Sequence, residues 1–297
     1  MTMKRLWLFL FLLVAAPAWA LEVVATTSSM GMLARTVGGP RVKVTELAPP
    51  DRDAHMLQAR PSMMRALRDA QLVVAVGAEL EIGWLPAAMN GAANGAILPG
   101  RAGYFEAAAQ VPLLDAGQAA DRAQGDVHPA GNPHVNLDPA RMATIAKALA
   151  ERLAQLDAAH AADYRERAKG FAAAVEEKLP AWKQKTAGSG GAVLYHKDGA
   201  YLLHALGLTL HGMLEPVPGV APTASHLEAL AGKLRGRGGR QGVIVHTPYQ
   251  PPAGAEKLAG LSGWKVAVLP IDPPAGADAN AYFALIARWA EALAPSK

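Results

Sequence analysis

Short β-branched apolar runs alternate with amphipathic stretches twice along the chain, the pattern of βα units and parallel sheets rather than of a sandwich or a helical bundle. In the first half, Glu22–Thr26, Val42–Leu47, Leu72–Val76 and Ala96–Leu98 predict strands, and Ser29–Val37, Pro61–Asp69 and Leu80–Met89 predict the helices between them. In the second half, strands are expected at Ala192–His196, Leu208–Leu214, Gly242–His246 and Val266–Ile271. The matching helices are Ala200–Leu206, Ser225–Leu234, Ala253–Leu258 and Ala279–Ala294. Each half reads as a small doubly wound α/β lobe of (βα)4 type.

Between the halves, from Pro139 to about Lys185, almost every residue is a good helix former, with Asp157-Ala-Ala-His160 as a candidate interruption. One long helix between two α/β lobes makes a stiff connection, and Gly188-Ser-Gly-Gly191 marks the entry into the second lobe. The expected division is residues 1–20 as a leader, 21–138 as the N-terminal lobe, 139–187 as the linking helical segment and 188–297 as the C-terminal lobe.

The leader combines Lys4 and Arg5, the apolar run Leu6 to Ala16 and the small-residue ending Ala18-Trp19-Ala20, the three parts of a secretory signal peptide with cleavage expected after Ala20. Its apolar run is about half the ~20 residues a membrane span needs, and no later segment reaches that length. An exported, periplasmic chain is therefore expected. It has no cysteine, which removes disulfides, thiolate metal sites and a lipid anchor on a cysteine. An ordinary core must supply stability, and 51% apolar composition allows one. Loss of Lys4 and Arg5 takes the formal charge from +4 to +2, too weak for nucleic acid. The densest basic stretch, Lys233 to Arg240, is broken by glycines and reads as a solvated helix end.

In open parallel sheets, ligands bind beyond the carboxyl ends of the strands. His196, His246 and Asp272 fall at such ends, His55 lies in the loop after the second strand, and His134 sits just before the linking helix. Neutral imidazoles and one carboxylate form a tetrahedral shell for zinc, so three histidines and an aspartate are a reasonable set in a chain without thiolates. The spacing itself carries no metal signature. His160, His204 and His226 fall in helical patterns and His211 in a strand, where packing or solvent explains them, and His128 is an ordinary loop histidine or an auxiliary ligand. There is no Gly-x-Ser-x-Gly elbow and no phosphate loop. The cluster Gly236-Arg-Gly-Gly239 follows a helix, the wrong context for a dinucleotide site. No enzymatic activity is expected.

Over essentially the whole mature chain the sequence resembles the substrate-binding proteins of zinc and manganese ABC importers, of the high-affinity zinc-uptake type. The resemblance is carried by Val23-Val-Ala-Thr-Thr-Ser-Ser29, Pro50-Asp-Arg-Asp-Ala-His55, Ala70-Gln-Leu-Val-Val-Ala-Val-Gly77, Asn132-Pro-His134-Val-Asn-Leu-Asp-Pro139 and Ile271-Asp272-Pro273. It implies two lobes joined by one long helix, with a metal cleft between them. It also implies Zn(II) as transported ligand, His55 and His134 from the first lobe and His196 and Asp272 from the second as ligands, and a monomer that delivers to an ABC permease. Manganese members resembling this family tend to be acidic where this chain has His196, which tilts the reading to zinc.

Three departures stand out. Gln58-Ala-Arg60-Pro replaces a Glu-Pro pair; His246 stands where an acidic residue is common, as a supporting group or alternative ligand; and the family's long histidine-rich loop shrinks to Gln118–Gly131 with only His128. The last leaves open loading by a periplasmic metallochaperone. The alternatives are a manganese or broad divalent-metal carrier and, from another class, a periplasmic zinc hydrolase, which needs an open coordination position and a general base.

Overall fold

The computed structural model describes residues 20–117, 128–217, 219–235 and 240–295. All but the last residue of the expected signal peptide (1–20), most of the loop around 118–131 and the glycine-broken part of the basic stretch (236–239) lie outside the described residues.

Two four-stranded parallel sheets account for the two halves. The first holds β1 (Leu21–Ala25), β2 (Val42–Glu46), β3 (Leu72–Ala75) and β4 (Tyr104–Glu106) in the order β2-β1-β3-β4. The second holds β5 (Ala192–Leu194), β6 (Leu210–Met213), β7 (Val243–His246) and β8 (Lys265–Val268) in the order β6-β5-β7-β8. In each, the chain leaves the first strand to one side and returns to the other, so a crevice opens beyond the carboxyl ends of β1 and β3, and of β5 and β7.

The central strands β1, β3, β5 and β7 are apolar apart from Glu22 and His246, because both faces are covered. Val23, Ala25, Leu72 and Val74 turn to a large inner core, and Val24, Val73 and Ala75 to an outer one beneath α2 (Pro61–Arg68) and α3 (Leu85–Ala92). In the second sheet Leu194 and Val245 face the inner core. Val193 and Ile244 face an outer one beneath α7 (Ala224–Arg235) and α8 (Ala253–Ser262). The remaining helices of the lobes are α1 (Ser28–Gly38), α6 (Ala200–Leu206) and α9 (Ala279–Leu293). Helix α1 starts where the Thr27 hydroxyl accepts from Met30 N, and α9 where Asp278 accepts from Ala281 N.

The fourth strand of the first lobe is Tyr104–Glu106 and not Ala96–Leu98. Residues Gly95–Ile97 form a short 3-10 turn opened by the Asn94 side chain, whose oxygen accepts from Ala96 N at 3.1 Å. The Asn94 amide nitrogen also donates to the carbonyls of Leu67, Arg68 and Ala70, closing the end of α2. The apolar run is thus spent on packing beneath a turn, and Ile97 is fully buried there.

The linking segment is helical and breaks at Asp157. Helix α4 (Pro139–Leu156) is capped by Asp138, and after a 3-10 turn at Ala158–His160 the long helix α5 (Ala161–Thr186) folds back along it. The Asp157 carboxylate accepts from the Tyr164 hydroxyl at 2.6 Å and meets His160 Nδ1 at 2.7 Å, and Arg165 reaches back to Glu151 with two bonds of 2.7 Å. This hairpin is packed into the inner core of both sheets: Leu149, Phe171 and Trp182 share one continuous cluster with Val74 of β3, Leu194 of β5 and Trp289 of α9. Among the described residues, no helix is long and apolar enough to cross a membrane.

Candidate metal centre

Where the two crevices face each other, three histidines converge. His55 stands in a 3-10 turn, Ala54–Met56, after β2; His134 opens another, Val135–Leu137, just before α4; and His196 follows β5. One ligand atom from each lies within 4.8 Å of the others. The rings sit close together, with centroids 5.1 Å apart for His55 and His134 and 5.2 Å for His134 and His196.

Each ring is held by an acceptor on its Nδ1. Asp53 Oδ1 takes both the backbone N–H of His55 at 2.9 Å and its Nδ1 at 2.8 Å. Asn132 Oδ1 does the same for His134, at 3.0 Å and 2.7 Å. Because the same atom accepts a backbone N–H, it is the amide oxygen, and Nδ1 of His134 carries the proton. Glu215 Oε2 lies 3.1 Å from His196 Nδ1. With Nδ1 spoken for, Nε2 is the atom each ring presents, a lone pair suited to a metal ion. Asn132 is itself anchored by Lys197 O and by the Tyr201 hydroxyl, so the histidine from the first half is positioned by residues of the second.

Burial does more than hold the rings still. His134 is fully enclosed; burial first, and the neighbouring imidazoles second, push its pKa well below the usual histidine value, so it is neutral at pH 7. Burial alone would raise Asp53, but its bonds to His55 outweigh that and keep it low and charged. The His134 Nε2 atom is buried and makes no hydrogen bond to a described residue; it faces Asp198 Oδ1 at 3.4 Å.

The other expected residues take less central places. Asp272 lies in the loop after β8 and walls, with His55 and His134, a cavity of about 20 Å³. Its Oδ1 accepts the N–H of Ser29 at 3.0 Å and the Ser29 hydroxyl, bonds across the cleft to the start of α1. Burial raises its pKa to about 6. His128 Nε2 is 3.1 Å from His55 Nε2, at the edge of the trio. His246, the last residue of β7, is buried with Nδ1 2.8 Å from Thr247 O, and it is outside the trio. In front of the trio, a cleft of about 950 Å³ opens between the two halves, lined by Asp53, His55, His196, Asp198, Glu215 and Tyr249 among others.

Asp53, Asn132, Asp198 and Glu215 were not singled out as sequence candidates. Glu215 lies two residues past the end of β6 and Asp198 two residues past His196, but an acidic residue near a strand end is too common for that position alone to single either out.

Among known proteins, a zinc-bound deletion mutant of ZnuA has the same fold, with a TM-score of 0.75 at 20% identity over 94% of this chain and 100% of that one. The nickel complex of the substrate-binding protein FpvC from Pseudomonas aeruginosa gives a TM-score of 0.75 at 22% identity, covering 92% and 95%. A protein described as metal-binding from Treponema pallidum (strain Nichols) is 26% identical over 172 residues, 56% of this chain, and the match spans about half, 52%, of that relative. With residues 23–295 matching its pattern from the first strand to the end of the last helix, the chain belongs to the family of the periplasmic zinc-uptake complex component A, ZnuA.

Proposed function

We propose that this chain captures one Zn(II) ion in the cleft and delivers it to the permease of an ABC importer. The ion is held by the Nε2 atoms of His55, His134 and His196 together with a carboxylate oxygen of Asp272. His128, whose ring already meets His55, is an auxiliary ligand at the mouth, and His246 is a supporting group behind the site. The protein acts in the periplasm as a monomer, freed from its leader after Ala20, and a metallochaperone is a candidate source of the ion.

The observation that carries this reading is the convergence of three imidazoles within 4.8 Å, each oriented by its own acceptor. Supported histidines are how proteins present ligands to zinc, and they suit it better than manganese, which prefers oxygen. A relative of the same fold binds nickel, however, so the choice among nitrogen-seeking ions rests on the titration below. Hydrolysis has no comparable support, since the family the chain belongs to is one of metal-binding uptake proteins rather than enzymes.

The test is a titration of metal-stripped mature protein with zinc against a calibrated chelator, repeated with manganese and with nickel as competitors and on His134→Ala and Asp272→Ala. One-to-one zinc binding is expected. Each variant should lose more than the roughly 10–100-fold that removal of a mere supporting group costs. Tight binding indifferent to both substitutions would remove the site, and preference for manganese or nickel would remove the ion.

A further inference from the structure

We infer that Asp198 is a direct ligand of the transported ion, a second carboxylate in the site beside Asp272. The inference rests on the proposed metal-carrier function and concerns a residue that neither the strand-end pattern nor the family resemblance marks.

Asp198 sits in the 3-10 turn Lys197–Gly199 that follows β5, two residues after His196. Its side chain is buried, and its Oδ1 lies 3.4 Å from His134 Nε2, an atom that is itself buried and makes no hydrogen bond to a described residue. Two donors held about 2.0–2.1 Å from a tetrahedral zinc ion stand about 3.4 Å apart, so this pair already has the length of one edge of a coordination tetrahedron. The separation is long for a hydrogen bond between charged or strongly polar groups and is what an intervening ion requires.

The other oxygen of Asp198 is occupied. Gln250 Nε2 donates to Oδ2 at 2.8 Å, which fixes the carboxylate plane and leaves Oδ1 directed at His134. That is the arrangement of a ligating carboxylate steadied by a neighbour. The same side chain lines the open cleft beside His55 and His196. Asp272 comes from the loop after β8 of the same sheet, and Ser29 of the first half holds its Oδ1.

Charge supports the pairing. Three neutral imidazoles and one carboxylate leave a divalent ion with a net positive charge in a buried cleft, and uncompensated buried charge is costly. A second carboxylate brings the ion and its donor set to neutrality. Five donors also exceed what zinc strictly needs, so Asp198 can enter the shell as Asp272 leaves it, a route for the ion from cleft mouth to interior.

The experiment uses the mature wild-type protein with Asp198→Asn, Gln250→Ala and His134→Ala. Each is titrated with zinc against a chelator and, separately, loaded with cobalt(II), whose visible absorption bands report the donor set. D198N keeps the size and the bond to Gln250 but removes the anionic donor. It should weaken zinc by about tenfold or more and shift the cobalt bands, while Q250A should cost less and leave the bands in place. Unchanged affinity and unchanged bands in D198N, with H134A crippled, overturn the role of Asp198 and leave the carrier reading standing. Absence of one-to-one binding in the wild type, or H134A binding as tightly as wild type, overturns the carrier reading itself. If D198N does not fold by circular dichroism, Q250A decides: weakened zinc binding supports the inference, and wild-type affinity overturns it.

Discussion

At Asp272, metal-free stability and the proposed role in binding pull in opposite directions. Burial raises its pKa from 3.8 to about 6, so at neutral pH the folded, metal-free protein holds a carboxylate charge that the unfolded chain would carry at lower cost. A raised carboxyl pKa contributes stability that is fully present below the unfolded value of 3.8 and is lost as pH rises through the folded value near 6. Metal-free Asp272→Asn should therefore melt above metal-free wild type at pH 7.5, by up to about 3 kcal/mol, with the gap closing between pH 6 and 3.8. Zinc affinity should move the other way. Differential scanning calorimetry across that range, with and without zinc, checks both signs. His134 does not blur the result, because its titration is common to both proteins. At this scale the convergence of the three central histidines was legible from loop and strand-end position, and for His134 neutral imidazole is the chemistry its burial enforces. Their acceptors were not legible, because Asp53, Asn132 and Glu215 become partners only through tertiary placement. Asp198 was hidden for the same reason: its neighbour in sequence, His196, points to Glu215, while Asp198 itself meets a histidine from the other half.

Periodicity located most elements to within a few residues, because strands covered on both faces and helices with apolar stripes leave strong local signals. The exception was the fourth strand of the first sheet. Ala96–Leu98 is apolar in order to pack beneath a turn, whereas Tyr104–Glu106 is short and its pairing with β3 is a long-range matter. Asn94 decides between them by joining the end of α2 to the start of that turn through three donated bonds and one accepted one. Asn94→Ala leaves those carbonyls to water or unpaired, and a loss of about 1–3 kcal/mol is expected by urea denaturation, with zinc affinity unchanged. The linking segment shows the other limit of local reading. Its helical propensity is plain, but the fold-back at Asp157 depends on bonds to Tyr164 and His160 that propensity does not report.

At the scale of the molecule, the two sheets do not hang from a flexible joint. The α4–α5 hairpin, β1, β3, β5, β7 and α9 contribute to one inner core, and the halves are tied further by Ser28 to Pro273 O, Asn136 to Ile271 O and Tyr282 to Asn136 O. Opening the halves as rigid bodies would tear that core, at a cost set by its buried apolar area. For the proposed carrier, this shared core points to the loops that carry His55, His128 and Asp272, rather than to the halves as bodies, for loading and release. Small-angle scattering is expected to give the same radius of gyration for the stripped and zinc-loaded protein, and a clear contraction on loading would contradict a shared core. Such a chain also has no independent half. Cut at the linking hairpin, either fragment would keep its sheet but expose the inner face that the hairpin and the other sheet had covered, a broad apolar wall of the kind that drives aggregation. Two lobes that look separable on paper are therefore a single folding unit, and the unit in which the proposed carrier works is the whole chain.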